Sequence, residues 1–212
     1  MNPLGHACHD HGALDAAQGS LRAVLWTALA INASMFLVEG GAGLLSRSVS
    51  LQADALDFLG DSASYGLSLL VVSRPLRWRA STALLKGFAM GLFGLWVIGA
   101  TIYAATTPET PNPATMGSVG ALALVANIVC AVLLFRFRSG DANMRSVWLC
   151  TRNDALGNVA VMAAATGVFA SCTQWPDIAV GAILATLALT ASVHVVRQAL
   201  AEFRQPLPGA PS

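Results

Sequence analysis

The 212-residue chain is 55% apolar and only 11% charged, whereas soluble domains carry about 25% charged residues. This deficit excludes an ordinary soluble domain and indicates membrane spans. The net charge of +1 gives no signal of nucleic-acid binding, and the four scattered cysteines include no CxxC pair that would indicate a disulfide framework.

The first twenty residues, which begin MNPLGHACHDHG, are polar and lack the basic and then apolar regions of a secretory signal peptide. We expect residues 1–20 to form a cytoplasmic tail. The composition of this tail allows two interpretations: the tail captures cytoplasmic metal loosely, or it is a polar tail without function. The side chains available for capture are His6, Cys8, His9 and His11.

Six apolar stretches follow, each close to the length of about 20 residues that a transmembrane helix needs. The predicted spans are 23–45, 49–72, 82–105, 116–135, 146–170 and 178–198. Proline-rich or polar segments separate several of them, as expected of connections between helices. The predicted fold class is an all-α integral membrane protein with six transmembrane helices, with the membrane domain over 21–200 and a short cytoplasmic tail over 201–212.

Positive charges lie almost entirely on one side of this topology. Most arginines fall between spans 2 and 3 and between spans 4 and 5, whereas the connections 3–4 and 5–6 contain no Lys or Arg. Arg47 alone falls on the opposite side. Because basic connections stay in the cytoplasm, both termini are predicted to be cytoplasmic. The chain ends about fourteen residues after the sixth span, so we expect no second folded domain.

Two pairs of polar residues interrupt the second and fifth spans. Asp57 and Asp61 are four residues apart, as are Cys150 and Asp154, so each pair lies on one helix face. At about 1.5 Å per residue, Asp61 and Asp154 reach nearly the same depth. Helices that face each other there would place three carboxylates and a thiol around one point. Such oxygen and sulfur ligands suit tetrahedral Zn²⁺ or a similar cation, whose charge offsets the carboxylates.

Other polar residues surround this predicted metal site, and ionisable residues inside a span usually have a function. Glu39 lies toward the outer side and is expected to line an exit path. Asp54 either lines the same path or caps its helix. A packing role is the competing interpretation of Cys150, because most buried cysteines behave as small apolar residues. In that case water or an amide would complete the coordination shell of the metal ion. The remaining neighbours, expected as supporting or path-lining residues, are Arg152, Asn153 and Asn158.

Three motifs resemble signatures of the cation diffusion facilitator family, and the resemblance covers nearly all of the chain after residue 20. The stretch VEGGAGLLSRSVSLQADALDFLGDSAS at 38–64 resembles the signature of the first and second helices. CTRNDALGNVAV at 150–161 resembles the fifth-helix signature, and WPDIAVGAIL at 175–184 resembles the start of the sixth helix.

By this resemblance, four positions of this chain correspond to the family's metal ligands. Asp57 and Asp61 match the family's second-helix ligands, and Asp154 matches its fifth-helix aspartate. Cys150 stands where the family usually has His. The usual cytoplasmic domain after the sixth helix and the His-rich loop between helices 4 and 5 are both missing, so the resemblance is to a short form.

The resemblance also implies an activity. Members export divalent metal ions from the cytoplasm, usually in exchange for protons, and commonly work as homodimers in a membrane. We expect a bacterial inner-membrane protein whose substrate is Zn²⁺, with Cd, Co, Ni and Fe ions as alternatives, and with no organic cofactor and no nucleic-acid partner.

Alternating access around a fixed mid-membrane site is the predicted mechanism, because protons and metal compete for the same ligands. A membrane metalloenzyme is disfavoured, since the chain has no HExxH motif and no His near Cys150 to act as its base. We therefore predict that the chain is not an enzyme. A membrane metal sensor or accessory subunit that binds metal without transporting it remains the alternative.

Overall fold

A computed structural model describes the backbone of residues 7–70, 76–107, 109–137 and 142–203, and their side chains except at 7–18, 70, 76–77, 79, 142–150, 152–153 and 202–203. The described residues are helical apart from short connections. The helices are α1 (Ala7–Ser46), α2 (Val49–Leu70), α3 (Leu76–Thr106), α4 (Pro113–Phe135), α5 (Ala142–Ser171) and α6 (Trp175–Phe203).

Each predicted span falls on one of these helices, so the all-helical fold is confirmed. The largest difference is at the start, where α1 begins at Ala7 although its span was predicted to begin at residue 23. Residues from Ala7 into the span include several alanines and leucines, which have high helix propensity. Most of the predicted N-terminal tail therefore continues α1 as helix, whereas His6 and residues 204–212 lie outside the described part of the chain.

Within the part of the chain that the structure describes, five helices are long and apolar enough to cross a membrane, and α2 is not among them. The reason is its composition, since α2 carries Asp54, Asp57 and Asp61 within 22 residues. The bundle shields these carboxyls, because α2 packs against α1, α3, α5 and α6. Residues 49–56 at the start of α2 are all buried. A helix in this central position can be polar without exposing charge to lipid.

Three connections meet at one end of the bundle. Asn112, before α4, donates its backbone N–H to the Ser46 carbonyl at the end of α1 (3.3 Å). The Gln174 side chain, between α5 and α6, donates to the Thr107 carbonyl after α3 (3.1 Å). Consecutive helices therefore alternate in direction, as the sequence predicted, and the 1–2, 3–4 and 5–6 connections share one side.

A carboxylate from α6 caps the N-terminus of α2. Asp177 accepts hydrogen bonds from the hydroxyls of Ser48 (2.7 Å) and Ser50 (2.6 Å). It also accepts from the backbone N–H groups of Val49 (2.8 Å) and Ser50 (3.1 Å). An acidic side chain at this position satisfies unpaired N–H groups and complements the positive end of the helix dipole. These bonds join α6 to the start of the helix that carries the acidic residues.

Glycines allow the helices around α2 to approach closely. A Cβ at Gly43 would lie 2.9 Å from the backbone nitrogen of Gln52, so only glycine fits where α1 turns into α2. Within the glycine-rich segment 40–43, Gly43 thus serves close helix packing, whereas no atom lies within 4 Å of a Cβ placed at Gly41.

Candidate metal-binding site

Two contacts fix the register between α2 and α5. The Thr151 hydroxyl donates to Asp61 Oδ2 (3.2 Å). A Cβ at Gly157 would lie 2.9 Å from Asp54 Oδ1 and 3.6 Å from Asp57 Oδ2. Because the helices are antiparallel, position 151 is level with 61 and position 157 is level with 54. Asp154 therefore lies between these contacts, at the level of the helix turn from Asp57 to Asp61.

The three predicted carboxylate ligands are brought into one region. The carboxyl of Asp154 interacts electrostatically with those of Asp61 and Asp57, and Asp57 interacts with Asp61. Asp61 is only 9% exposed. Buried carboxylates that face one another need protons or a cation to reduce their repulsion. This electrostatic requirement is what a divalent metal ion would satisfy.

The full predicted ligand set is not observed as a formed metal centre. Among the side chains that the structure describes, no three His, Cys, Asp or Glu residues converge closely enough to hold a metal ion. The side chain of Cys150 lies outside that set. Asp57, Asp61, Cys150 and Asp154 consequently stay a predicted ligand group, of which the structure places the three carboxylates near one another.

Two hydroxyl groups that the sequence interpretation missed hold Asp61. Tyr65 donates to Asp61 Oδ2 (2.8 Å), and the Tyr65 and Thr151 oxygens are themselves 2.8 Å apart. Tyr65 and Thr151 are both fully buried. The available sequence signal was spacing, since Tyr65 lies four residues after Asp61 and Thr151 three residues before Asp154. These bonds fix the Oδ2 atom of the Asp61 carboxylate.

Glu39 and Asp54 form a second acidic pair, one turn from Asp57 toward the end where α2 begins. Glu39 is 0% and Asp54 1% exposed, and their side chains adjoin across α1 and α2. Outside this pair, neither carboxyl has a hydrogen-bond donor among the described residues. The alternative that Asp54 caps α2 is wrong, because Asp177 binds that helix terminus instead. A position along a path from the metal site is the interpretation that remains for Asp54.

The other predicted neighbours are only partly described. Asn158 donates from Nδ2 to the Asp154 carbonyl (2.9 Å), while its buried Oδ1 has no partner among the described residues. Asn158 thus braces the helix turn that carries Asp154. The side chains of Arg152 and Asn153 lie outside the description, as do those of three residues proposed for metal capture, Cys8, His9 and His11.

A lysine that the sequence interpretation gave no place in the metal site also reaches this region. Lys86 on α3 donates from Nζ to the Ser64 hydroxyl (2.5 Å). Its ammonium group interacts electrostatically with Asp61 and Asp154. The acidic site therefore has a positive charge beside it.

Antiparallel helices that are mostly apolar outside and acidic within define a multi-pass membrane protein with a buried acidic region. Comparison with known proteins agrees, since the cation efflux transmembrane domain matches residues 25–203. The chain belongs to the cation efflux family, also called the cation diffusion facilitator family, and is a multi-pass protein of the bacterial inner membrane.

Several bacterial relatives are similar along most of the chain. The "Cadmium, cobalt and zinc/H(+)-K(+) antiporter" of Bacillus velezensis is 26% identical over 224 residues, covering 97% of this chain and 68% of that protein. The "Zinc transporter ZitB" of Escherichia coli is 26% identical over 216 residues, covering 96% and 68%. The "Metal cation efflux system protein CzcD" of Cupriavidus metallidurans is 24% identical over 192 residues, covering 85% and 58%. The chain thus spans about two thirds or less of the length of these relatives.

Proposed function

We propose that the chain exports divalent transition-metal cations from the cytoplasm, binding them at Asp57, Asp61, Asp154 and Cys150. The observation that carries this proposal is the register of α2 and α5, which leaves the three carboxylates within electrostatic reach of one another inside the bundle. Relatives named as cadmium, cobalt and zinc antiporters support the same substrate class.

The transport cycle follows from competition at the carboxylates. Metal from the cytoplasm binds the deprotonated ligands, the helices rearrange, and the metal leaves toward the end of the bundle that holds the 1–2 connection. Protons then occupy the same oxygens, since a ligand that holds a proton cannot also hold a metal ion. Glu39 and Asp54 lie on the outward side of Asp57 and provide carboxylates along the exit path.

The direction of export depends on orientation, and we infer that both termini face the cytoplasm. Arginine-rich connections support this orientation through the positive-inside rule. Thr110 and Arg136 are both exposed, one at each end of the bundle. In a variant with Cys8 and Cys172 replaced by Ser, we expect Thr110→Cys to react with a membrane-impermeant maleimide in intact cells. Arg136→Cys should react only after lysis, and labelling of Arg136→Cys in intact cells would reverse the orientation.

Metal flux in proteoliposomes tests the proposed function itself. We expect Zn²⁺, and to a lesser extent Cd²⁺ and Co²⁺, to cross the membrane when a pH gradient drives protons in the opposite direction. Mg²⁺ should not compete, because it prefers six oxygen ligands and keeps several waters. Liposomes without protein and a collapsed pH gradient are the controls.

Two results of this assay would change the assignment. Stoichiometric Zn²⁺ binding without flux would support a membrane metal sensor or accessory subunit. Flux that does not depend on the pH gradient would retain metal export and reject proton antiport.

A further inference from the structure

Lys86 connects α3 to the acidic region between α2 and α5. It is the only lysine in the chain, and it lies within the apolar span Ala80–Thr106. Its ammonium donates a hydrogen bond of 2.5 Å to the hydroxyl of Ser64, which lies three residues after Asp61 and hence near it on the same helix face. The ammonium also interacts electrostatically with the carboxyls of Asp61 and Asp154.

The local hydrogen bonds direct the Lys86 side chain toward α2, in the interior of the bundle. A lysine near a helix end usually extends to the membrane surface to keep its charge in water. Here the Ser64 hydroxyl donates to the Gly60 carbonyl (2.9 Å), so its oxygen is free to accept from Lys86. A buried or half-buried cation in a span is costly unless negative groups offset it. The carboxyls of Asp61 and Asp154 provide that compensation.

We propose that Lys86 is a built-in counter-ion of the metal site, which matches the charge of the site to a divalent cation. This inference rests on the proposed function. Asp57, Asp61 and Asp154 supply three negative charges, and Lys86 supplies one positive charge. A divalent ion then completes a neutral assembly when the Cys150 thiol keeps its proton. Loss of the ammonium leaves one uncompensated negative charge, which holds the metal more tightly and slows its release.

The first test compares Lys86→Gln with the wild type. At an effective dielectric constant of about 20, the interaction between two unit charges about 12 Å apart already corresponds to about a tenfold change in binding, and a shorter distance gives a larger change. We expect a Kd for Zn²⁺ about tenfold lower by calorimetry in detergent, and turnover at saturating Zn²⁺ that is slower by a similar factor. Lys86→Arg should keep the wild-type values, and Arg197→Gln, which removes an exposed cation from α6, is the control for net charge.

The direction of the change distinguishes a counter-ion from a packing residue. Wild-type Kd and turnover in Lys86→Gln would overturn the proposal. Weaker Zn²⁺ binding in that variant would also overturn it, because loss of packing loosens the site whereas loss of a counter-ion tightens it.

A second measurement uses the unmodified sequence and does not require Lys86→Gln to fold. Reductive methylation with isotopically labelled formaldehyde retains the positive charge and gives Lys86 its own NMR signal. In Lys86→Arg only the N-terminal amine can be methylated, so the spectrum of this variant identifies the signal that does not belong to Lys86. We expect saturating Zn²⁺ to shift the Lys86 signal in the wild type and to leave it unchanged in Asp154→Asn.

The two proposals fail in different ways. An unmoved Lys86 signal in a protein that binds and transports Zn²⁺ rejects the counter-ion alone. Absence of Zn²⁺ binding and of flux in the wild type rejects the proposed function.

Discussion

Asp154→Asn should reduce metal flux in proteoliposomes by at least about 100-fold. Loss of an outer partner of a metal ligand typically costs about 10–100-fold in affinity or activity, and loss of a ligand's charge should cost more. The amide keeps the volume and one oxygen of the carboxylate, so the packing of α5 against α2 is retained. The expected cause is therefore the missing negative charge opposite Asp57 and Asp61.

The matched control for this variant is Glu109→Gln. Glu109 forms an ion pair with Arg47 at the end of the bundle that holds the 1–2 connection and is 46% exposed, so its neutralisation removes a charge outside the predicted metal site. We expect near wild-type flux from Glu109→Gln. Calorimetry in detergent should show that Asp154→Asn no longer binds Zn²⁺. This measurement distinguishes loss of binding from loss of the helix movement that transport requires. Transport close to the wild-type rate in Asp154→Asn would reject the ligand set.

Cys150→His should keep transport and shift the preference from Cd²⁺ toward Zn²⁺. A thiolate is a softer ligand than imidazole and favours Cd²⁺ and Zn²⁺ over Mn²⁺ or Mg²⁺. It also carries charge when bound, whereas imidazole binds neutral. With three ionised aspartates, a bound thiolate leaves more buried negative charge than a divalent ion offsets, and that excess is costly. Cys150→Ser should therefore weaken Cd²⁺ flux more than Mn²⁺ flux.

Competitive flux of paired metals measures this preference directly. Cys172→Ser is the control, because Cys172 is exposed after the end of α5, on the side opposite to Cys150. The control should retain the wild-type ratio of Cd²⁺ to Zn²⁺. If Cys150→His and Cys150→Ser retain that ratio as well, Cys150 is a packing residue and the metal site consists of carboxylates alone.

The sequence alone was sufficient to predict the six helices and the pairing of acidic residues. Apolar stretches of about 20 residues and i, i+4 spacing are local properties of the chain, and they determine a helix and its polar face before any tertiary contact forms. For this reason Asp57 and Asp61 were expected on one face of α2. The family motifs then related these residues to Asp154 on a helix that is distant in sequence.

The predicted depth of Asp154 agrees with the contacts between the helices to within about one helix turn. Counting from the ends of the spans placed Asp154 nearly level with Asp61, and the contacts of Thr151 and Gly157 place it between the levels of Asp57 and Asp61. Helix ends are the least certain part of a span predicted from composition. An error of a few residues at an end shifts every depth that is counted from it.

Only the tertiary structure decided which side chains support the acidic site. The cap of α2 comes from Asp177, more than a hundred residues away, and replaces the capping role considered for Asp54. Tyr65 and Thr151 bind the same oxygen of Asp61, and Lys86 reaches that region from α3. Sequence spacing specifies the face of a helix but not its rotation or its register against a neighbour. Those are set by the packing of all six helices, in which close contacts at glycines such as Gly43 and Gly157 determine how near two helices can lie.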